Sequence, residues 1–135
     1  MDLTQALNIS ASGMDAQTQR LRVIAENLAN EDSTGSIPGG TPYRRKTVQF
    51  ENVLDRTVGA SSVRVKQVVQ DPSPFPQKYD PSSPAANAQG YVSTPNVNSF
   101  VEMMDMREAE RSYSANLNVM QASRSMLSRV IDLLK

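Results

Sequence analysis

The sequence predicts a mainly α protein. Long N- and C-terminal helices pair as a coiled-coil-like bundle, with a small β-hairpin and an extended proline-rich insert between them. Three observations predict this. Near the C-terminal end, Met106, Tyr113, Met120, Leu127 and Leu134 recur every seven residues, with Met103, Leu117 and Ile131 three or four residues away. That is the stripe of one helix face, and of a coiled-coil seam in particular. Near the N-terminal end, Leu7, Met14, Leu21 and Leu28 repeat at the same interval of seven, with Leu3 and Ile24 between. A lone helix with an apolar stripe needs a partner, and each stripe supplies the other's. Third, the pattern between them changes to short alternation and then to a run of prolines.

These shifts divide the chain into residues 1–34, an N-terminal helix; 35–97, a β and loop insert with a proline-rich arm; and 98–135, a C-terminal helix. The first helix is expected over residues 2–30, with Asp2 and Gln5 as a capping box. Its second seam positions are polar, at Ser10 and Gln17. Gly13 lies mid-helix, where it costs about 1 kcal/mol against alanine. Simple tolerance and close approach by a neighbouring helix both account for it. Residues 31–42, with Gly35, Pro38, Gly39, Gly40 and Pro42, end that helix in a loop.

Thr47-Val48-Gln49-Phe50 and Val63-Arg64-Val65-Lys66 alternate as short strands, and Gly59-Ala60-Ser61-Ser62 suits the turn between them. Pro72, Pro74, Pro76, Pro81, Pro84 and Pro95 then make residues 71–95 an extended arm, with Phe75, Tyr79 and Tyr91 as anchors. Ser99 with Glu102 reads as the capping box of the last helix.

Composition narrows the chemistry. In 135 residues there is room for one domain, and 14 basic against 14 acidic residues leave a net charge of +0, so no field draws the chain to nucleic acid. The basic residues that bunch at Arg44, Arg45, Lys46, Arg56, Arg64 and Lys66 read as a solvated face. Cysteine, histidine and tryptophan are absent. That removes disulfides, structural zinc and the commonest general base, so neither cofactor nor metal is expected. Asp55, Asp71 and Asp80 are scattered, and Glu108 and Glu110 cannot share a helical face closely, so no catalytic residues are expected either. No apolar run approaches the roughly 20 residues of a membrane span, and Asp2 interrupts any signal-peptide core. A hydrophobic content of 39% with 5% aromatics implies a modest core.

Particular motifs resemble a known family. Glu26-Asn27-Leu28-Ala29-Asn30 followed by Ser33-Thr34-Gly35 resembles the N-terminal motif of flagellar rod and hook axial proteins. Gly90-Tyr91-Val92, Pro95-Asn96-Val97-Asn98, Glu102-Met103 and the stretch from Arg111 through Ser112, Tyr113, Ser114 and Ala115 to Asn116 look like the signature of its proximal rod subunits. Tyr43-Arg44-Arg45 and Tyr79-Asp80-Pro81 also fit, so the resemblance covers essentially the whole chain. It departs at Ser83, where the family often has histidine, and at Asn87, where it often has an acidic residue.

The resemblance implies a non-enzymatic building block of the bacterial flagellar basal body, in the periplasm-spanning rod. Such a subunit leaves through the flagellar type III export apparatus without a cleaved signal peptide. It then stacks helically, its terminal helices forming the inner tube that transmits torque and lines the export channel. Its partners would be other copies of itself, other rod subunits, and the membrane-ring and export-gate adaptor proteins. The implied assembly interface lies on Leu7, Met14, Leu21, Asn27, Leu28, Asn30, Met106, Tyr113, Asn116, Met120, Leu127 and Leu134. Asn27, Asn30, Tyr113 and Asn116 are candidates for fixing helix ends and inter-subunit polar contacts, with local capping as the other role open to each. A weakly cored chain without disulfides suits export in an unfolded state, and a heterologous contact that does not close generates a filament. The alternative function is a soluble helical adaptor or export chaperone of the flagellar system, which would fold alone and bind one client.

Overall fold

A computed structural model describes residues 3–56 and 59–134. The order of elements is α1 (Leu3–Ala29), β1 (Lys46–Asp55), β2 (Ala60–Gln70), β3 (Gln77–Tyr79), β4 (Tyr91–Ser93) and α2 (Ser99–Leu133). The two terminal helices are present. Asp2, expected to cap the first, lies outside the described residues. The rest of the expected architecture is corrected: among the described residues there are two small antiparallel sheets, one of β1 and β2 and one of β3 and β4, and these residues are about 48% helix and 21% strand.

There is no extended proline-rich insert. Residues 71–95 fold, because their prolines occupy positions that need no N–H. Pro72 and Pro81 each follow an aspartate whose Oδ1 accepts from both the backbone N–H and the hydroxyl of the serine two residues on, Ser73 and Ser82. These are side-chain-closed turns in which proline's fixed φ is an advantage. Pro76 immediately precedes β3, which pairs antiparallel with β4 in the register Gln77↔Ser93, Lys78↔Val92, Tyr79↔Tyr91. Gly90 enters β4 at a φ of +83°, and a Cβ there would lie 2.9 Å from the Tyr79 ring.

The chain divides into two compact units, Met1–Leu21 with Val48–Gln67 and Met106–Lys135, and Arg22–Thr47 with Val68–Asp105. In the first unit α1 and α2 run antiparallel. Gly13 lies against Asn116, and Arg20 reaches Glu108 at 3.7 Å. The buried positions are small or polar: Ser10, Gly13 and Ala16 on α1, Ala109 and Ser123 on α2. Leu7, Met14, Leu21, Met106, Tyr113 and Met120 flank them, half-buried. The line of closest approach is thus one step around the helix from the leucine stripe. Small residues let backbones come near, while large ones wedge at the sides. Of the two accounts of Gly13, close approach is the one the fold uses, since a Cβ there would sit 2.8 Å from the Asn116 Nδ2.

The β1–β2 ribbon of this unit is longer than the expected strands. Its cross-strand partners are polar, Arg64 with Glu51 at 2.6 Å and Gln67 with Gln49 at 2.8 Å, and such pairs leave no trace in apolar alternation. Ala60 to Ser62, expected as the turn, are already strand. The Ser12 hydroxyl of α1 accepts from the Val63 N–H at 3.4 Å and ties the ribbon to the helix.

The second unit holds the end of α1, the start of α2 and the β3–β4 sheet around Val23, Ile24, Ala85 and Val92. The cap of α2 is Asn98, whose Oδ1 accepts from the N–H groups of Phe100 and Val101. Ser99, expected in that role, hydrogen-bonds Glu31 instead. Glu102 completes no capping box; its side chain turns inward.

Candidate assembly site

In the second unit the end of α1, the segment before β1 and the first turn of α2 converge on two wholly buried polar side chains, Asn27 and Glu102, both 0% exposed. Asn27 makes every hydrogen bond its amide allows. Its Nδ2 donates to the Lys46 carbonyl at 2.8 Å and to Glu102 Oε2 at 3.1 Å. Its Oδ1 accepts from the Lys46 N–H and the Tyr43 hydroxyl, both at 2.9 Å. Glu102 Oε1 accepts from Arg45 Nε at 2.5 Å.

Arg45 carries the cluster outward. Nη1 reaches Asp71 at 3.3 Å and Nη2 reaches Asp105 at 3.4 Å, so one guanidinium faces three carboxylates. Burial alone would lower the Arg45 pKa, but the hydrogen bond and charge of Glu102, helped by Asp71, more than offset it and raise it. Burial, and then the nearby Glu26 carboxylate, push the Tyr43 hydroxyl up. A salt bridge of 2.5 Å to Glu26 raises Lys46. Arg44 donates to the carbonyls of Asp71 and Ser73 and lies 4.1 Å above the Phe75 ring. Arg44, Arg45 and Lys46 are therefore not the solvated basic face that their clustering suggests. They are consumed in holding this unit together.

Asn30 sits just past the end of α1, where its Nδ2 donates to the Glu26 carbonyl at 2.8 Å and its Oδ1 accepts from the Ser33 hydroxyl. It closes the helix end, while Leu28 is half-buried two residues before. In the first unit, the Asn116 amide bonds the Ser112 carbonyl of its own helix at 3.1 Å. Leu127 and Leu134 stand apart from the rest of the expected interface: they are exposed, at 39% and 83%. Every residue from 124 to 134 is exposed, and Met126, Leu127, Val130, Ile131 and Leu134 form one stripe along that part of α2.

Sequence reasoning missed Glu102 and Arg45 as partners. A glutamate three residues after a serine is the ordinary sign of a capping box, and nothing local says that its carboxylate is buried. A faint signal existed: the arginine pair directly before a strand and the acidic Asp105 one turn beyond Glu102.

A family described as flagella basal body rod protein matches residues 7–35, and one described as flagellar basal body rod FlgEFG protein C-terminal matches residues 88–133. The flagellar basal-body rod protein FlgC of Agrobacterium fabrum is 50% identical over 133 residues, covering 98% of this chain and 96% of that relative. Its counterpart in Bacillus subtilis is 38% identical over 148 residues, covering 98% and 99%, and that of Salmonella typhimurium 39% over 135 residues, covering 98% of each. These likenesses over nearly the full length lead to one conclusion: the chain belongs to the FlgC family of flagellar basal-body rod proteins.

Proposed function

We propose that this chain builds the proximal rod by helical stacking of its terminal helices, residues 1–34 and 98–135, around the export channel, and that it transmits torque through them. Family membership makes it a structural subunit of the flagellar rod, located in the basal body and associated with other rod and basal-body components. The finer partners of this reading are further copies of the chain, neighbouring rod subunits, and the membrane-ring and export-gate adaptor proteins. The flagellar type III apparatus would deliver the chain unfolded.

The observation that supports the reading is an exposed apolar stripe in the last turns of α2. Met126, Leu127, Val130, Ile131 and Leu134 are all exposed on one side of a helix whose preceding turns are packed. Contiguous apolar surface of this kind marks an interaction site. We assign Leu127 and Leu134 to the contact with neighbours. Leu7, Met14, Leu21, Leu28, Met106, Tyr113 and Met120 support the helices that present it, and Asn27, Asn30 and Asn116 hold their geometry.

Circular dichroism across a concentration series, with sedimentation on the same samples, tests this. Helicity that rises together with particle size is the expected result. A fully helical monomer that never associates at any concentration would transfer the chain to the adaptor class.

A further inference from the structure

We propose that Tyr79 and Tyr91 form a site of oxidative cross-linking, at which a one-electron oxidant joins the two rings as a dityrosine within one chain. The bond closes residues 79–91 into a covalent loop across the β3–β4 sheet.

The physical case begins with the strand pairing. Tyr79 and Tyr91 are direct cross-strand partners. On either side of them, ladder bonds run from the Asp80 N–H to the Gly90 carbonyl at 3.0 Å and from the Thr94 N–H to the Pro76 carbonyl at 2.9 Å. Hydrogen-bonded pairs alternate with open ones in an antiparallel ladder. Tyr79 and Tyr91 therefore meet at an open position, where opposed side chains stand closest. Their ring centroids are 5.3 Å apart, at an interplanar angle of 64°. A Cβ on Gly90 would come within 2.9 Å of Tyr79 Cε2, so the bare Cα lets that ring lie against the strand. The Gln77–Ser93 hydrogen bond of 2.8 Å closes the next pair on the same face.

Packing alone accounts for an aromatic pair, but this one stands in solvent. Tyr79 is 65% exposed and Tyr91 45%. Neither hydroxyl has a hydrogen-bond partner among the described residues. The other two tyrosines, Tyr43 and Tyr113, are half-buried, and the Tyr43 hydroxyl donates to Asn27. A dissolved oxidant thus has readier access to Tyr79 and Tyr91. Composition acts in the same direction. Cysteine and tryptophan ordinarily return an electron to a tyrosyl radical, and the chain contains neither.

Each phenol gives up one electron and one proton, and the two phenoxyl radicals couple through carbons ortho to their oxygens. The ring hydrogens at those carbons then move to the oxygens and restore both phenols. With a haem peroxidase as oxidant, one hydrogen peroxide takes up the two electrons and two protons and leaves as two waters. The tyrosine χ2 is a soft torsion, so exposed rings can turn to bring the ortho carbons together. Like a disulfide, which a chain without cysteine cannot form, the new bond restricts the unfolded state. The inference concerns one chain and does not depend on the assembly reading.

The full chain is treated with a haem peroxidase and hydrogen peroxide, and monomer-sized product is isolated under denaturing conditions. No lysine or arginine lies between Tyr79 and Arg107, so trypsin leaves both rings on one peptide. The expected product is that peptide lighter by two hydrogen atoms and carrying dityrosine fluorescence. Tyr79→Phe and Tyr91→Phe should each abolish it. Tyr91→Phe/Gln89→Tyr keeps the number of tyrosines and brings them nearer in sequence, but removes the second ring from its place opposite Tyr79. Its yield should be lower by roughly tenfold or more, because placement in the sheet is what brings the rings together. After treatment the parent should also resist urea better than the equally treated Tyr79→Phe variant, by a margin absent before treatment. Products formed only between chains, an equal yield from the displaced pair, or a urea midpoint unmoved by the bond would each overturn the proposal.

Discussion

Asn27 grips Lys46 by both halves of its side-chain amide, giving a hydrogen bond to the Lys46 carbonyl at 2.8 Å and taking one from the Lys46 N–H at 2.9 Å. This is the two-bond exchange by which a residue of one antiparallel strand pairs with its opposite number. The end of α1 thereby acts as the edge on which β1 starts. The amide's second N–H and second lone pair, going to Glu102 and from Tyr43, extend the grip to α2 and to the segment before the strand.

Replacing Asn27 by Asp removes both donors and sets a second carboxylate against Glu102. The expected loss is about 3 kcal/mol or more, the scale of a broken buried network. Asn27→Ala, which leaves its partners unpaired without adding charge, should lose about 2 kcal/mol. Urea unfolding checks both, and Asp must come out as the worse of the two.

Gly13 and Asn116 are expected to be coupled. Gly13→Ala alone gains helix propensity but drives its methyl into the Asn116 amide, so its net effect should be close to zero. In an Asn116→Ala background the obstruction is gone, and the same change should stabilise by about 1 kcal/mol. A double-mutant cycle by thermal unfolding measures the difference, and strict additivity would show that the two side chains do not meet.

Acid should weaken the second unit. Hydrogen bonds from Ser73, joined by Arg45, hold the Asp71 carboxyl below its ordinary value of 3.8, and bonds from Ser82 do the same for Asp80. Groups with a lowered folded pKa contribute stability that is complete above 3.8 and is lost as pH falls through the lowered value. The melting temperature should therefore be flat down to about pH 5 and fall below pH 4. Ser73→Ala should move the fall to higher pH. At the other extreme the raised Lys46 pKa works in the opposite sense: its share is present below 10.5 and disappears as pH climbs through the raised value.

Charge on the uncovered stripe should separate folding from assembly. Val130→Asp and Leu134→Asp alter exposed positions, so monomer stability should change by no more than about 0.5 kcal/mol. Sedimentation should nevertheless show association weakened at least tenfold, and cells carrying either variant should lose swimming. Unchanged association would remove this stripe from the interface.

By itself the sequence determined the terminal helices and the family. Seven-residue recurrence is a local property, visible in Leu7 through Leu28 and in Met106 through Leu134, and the motifs around Asn27, Tyr91 and Tyr113 are contiguous. Only the tertiary structure decided which stripe makes the close contact. Ser10, Gly13, Ala16 and Ala109 share the helical period with the leucines, and spacing cannot say which of two adjoining stripes lets the backbones approach. Only the tertiary structure showed that Pro72 and Pro81 serve folded turns, because the same prolines are equally at home in an extended arm. The inward turn of Glu102 was likewise invisible. Its partners Asn27 and Arg45 lie far away in sequence, and a buried charge is recognisable only when the groups that neutralise it are in place around it.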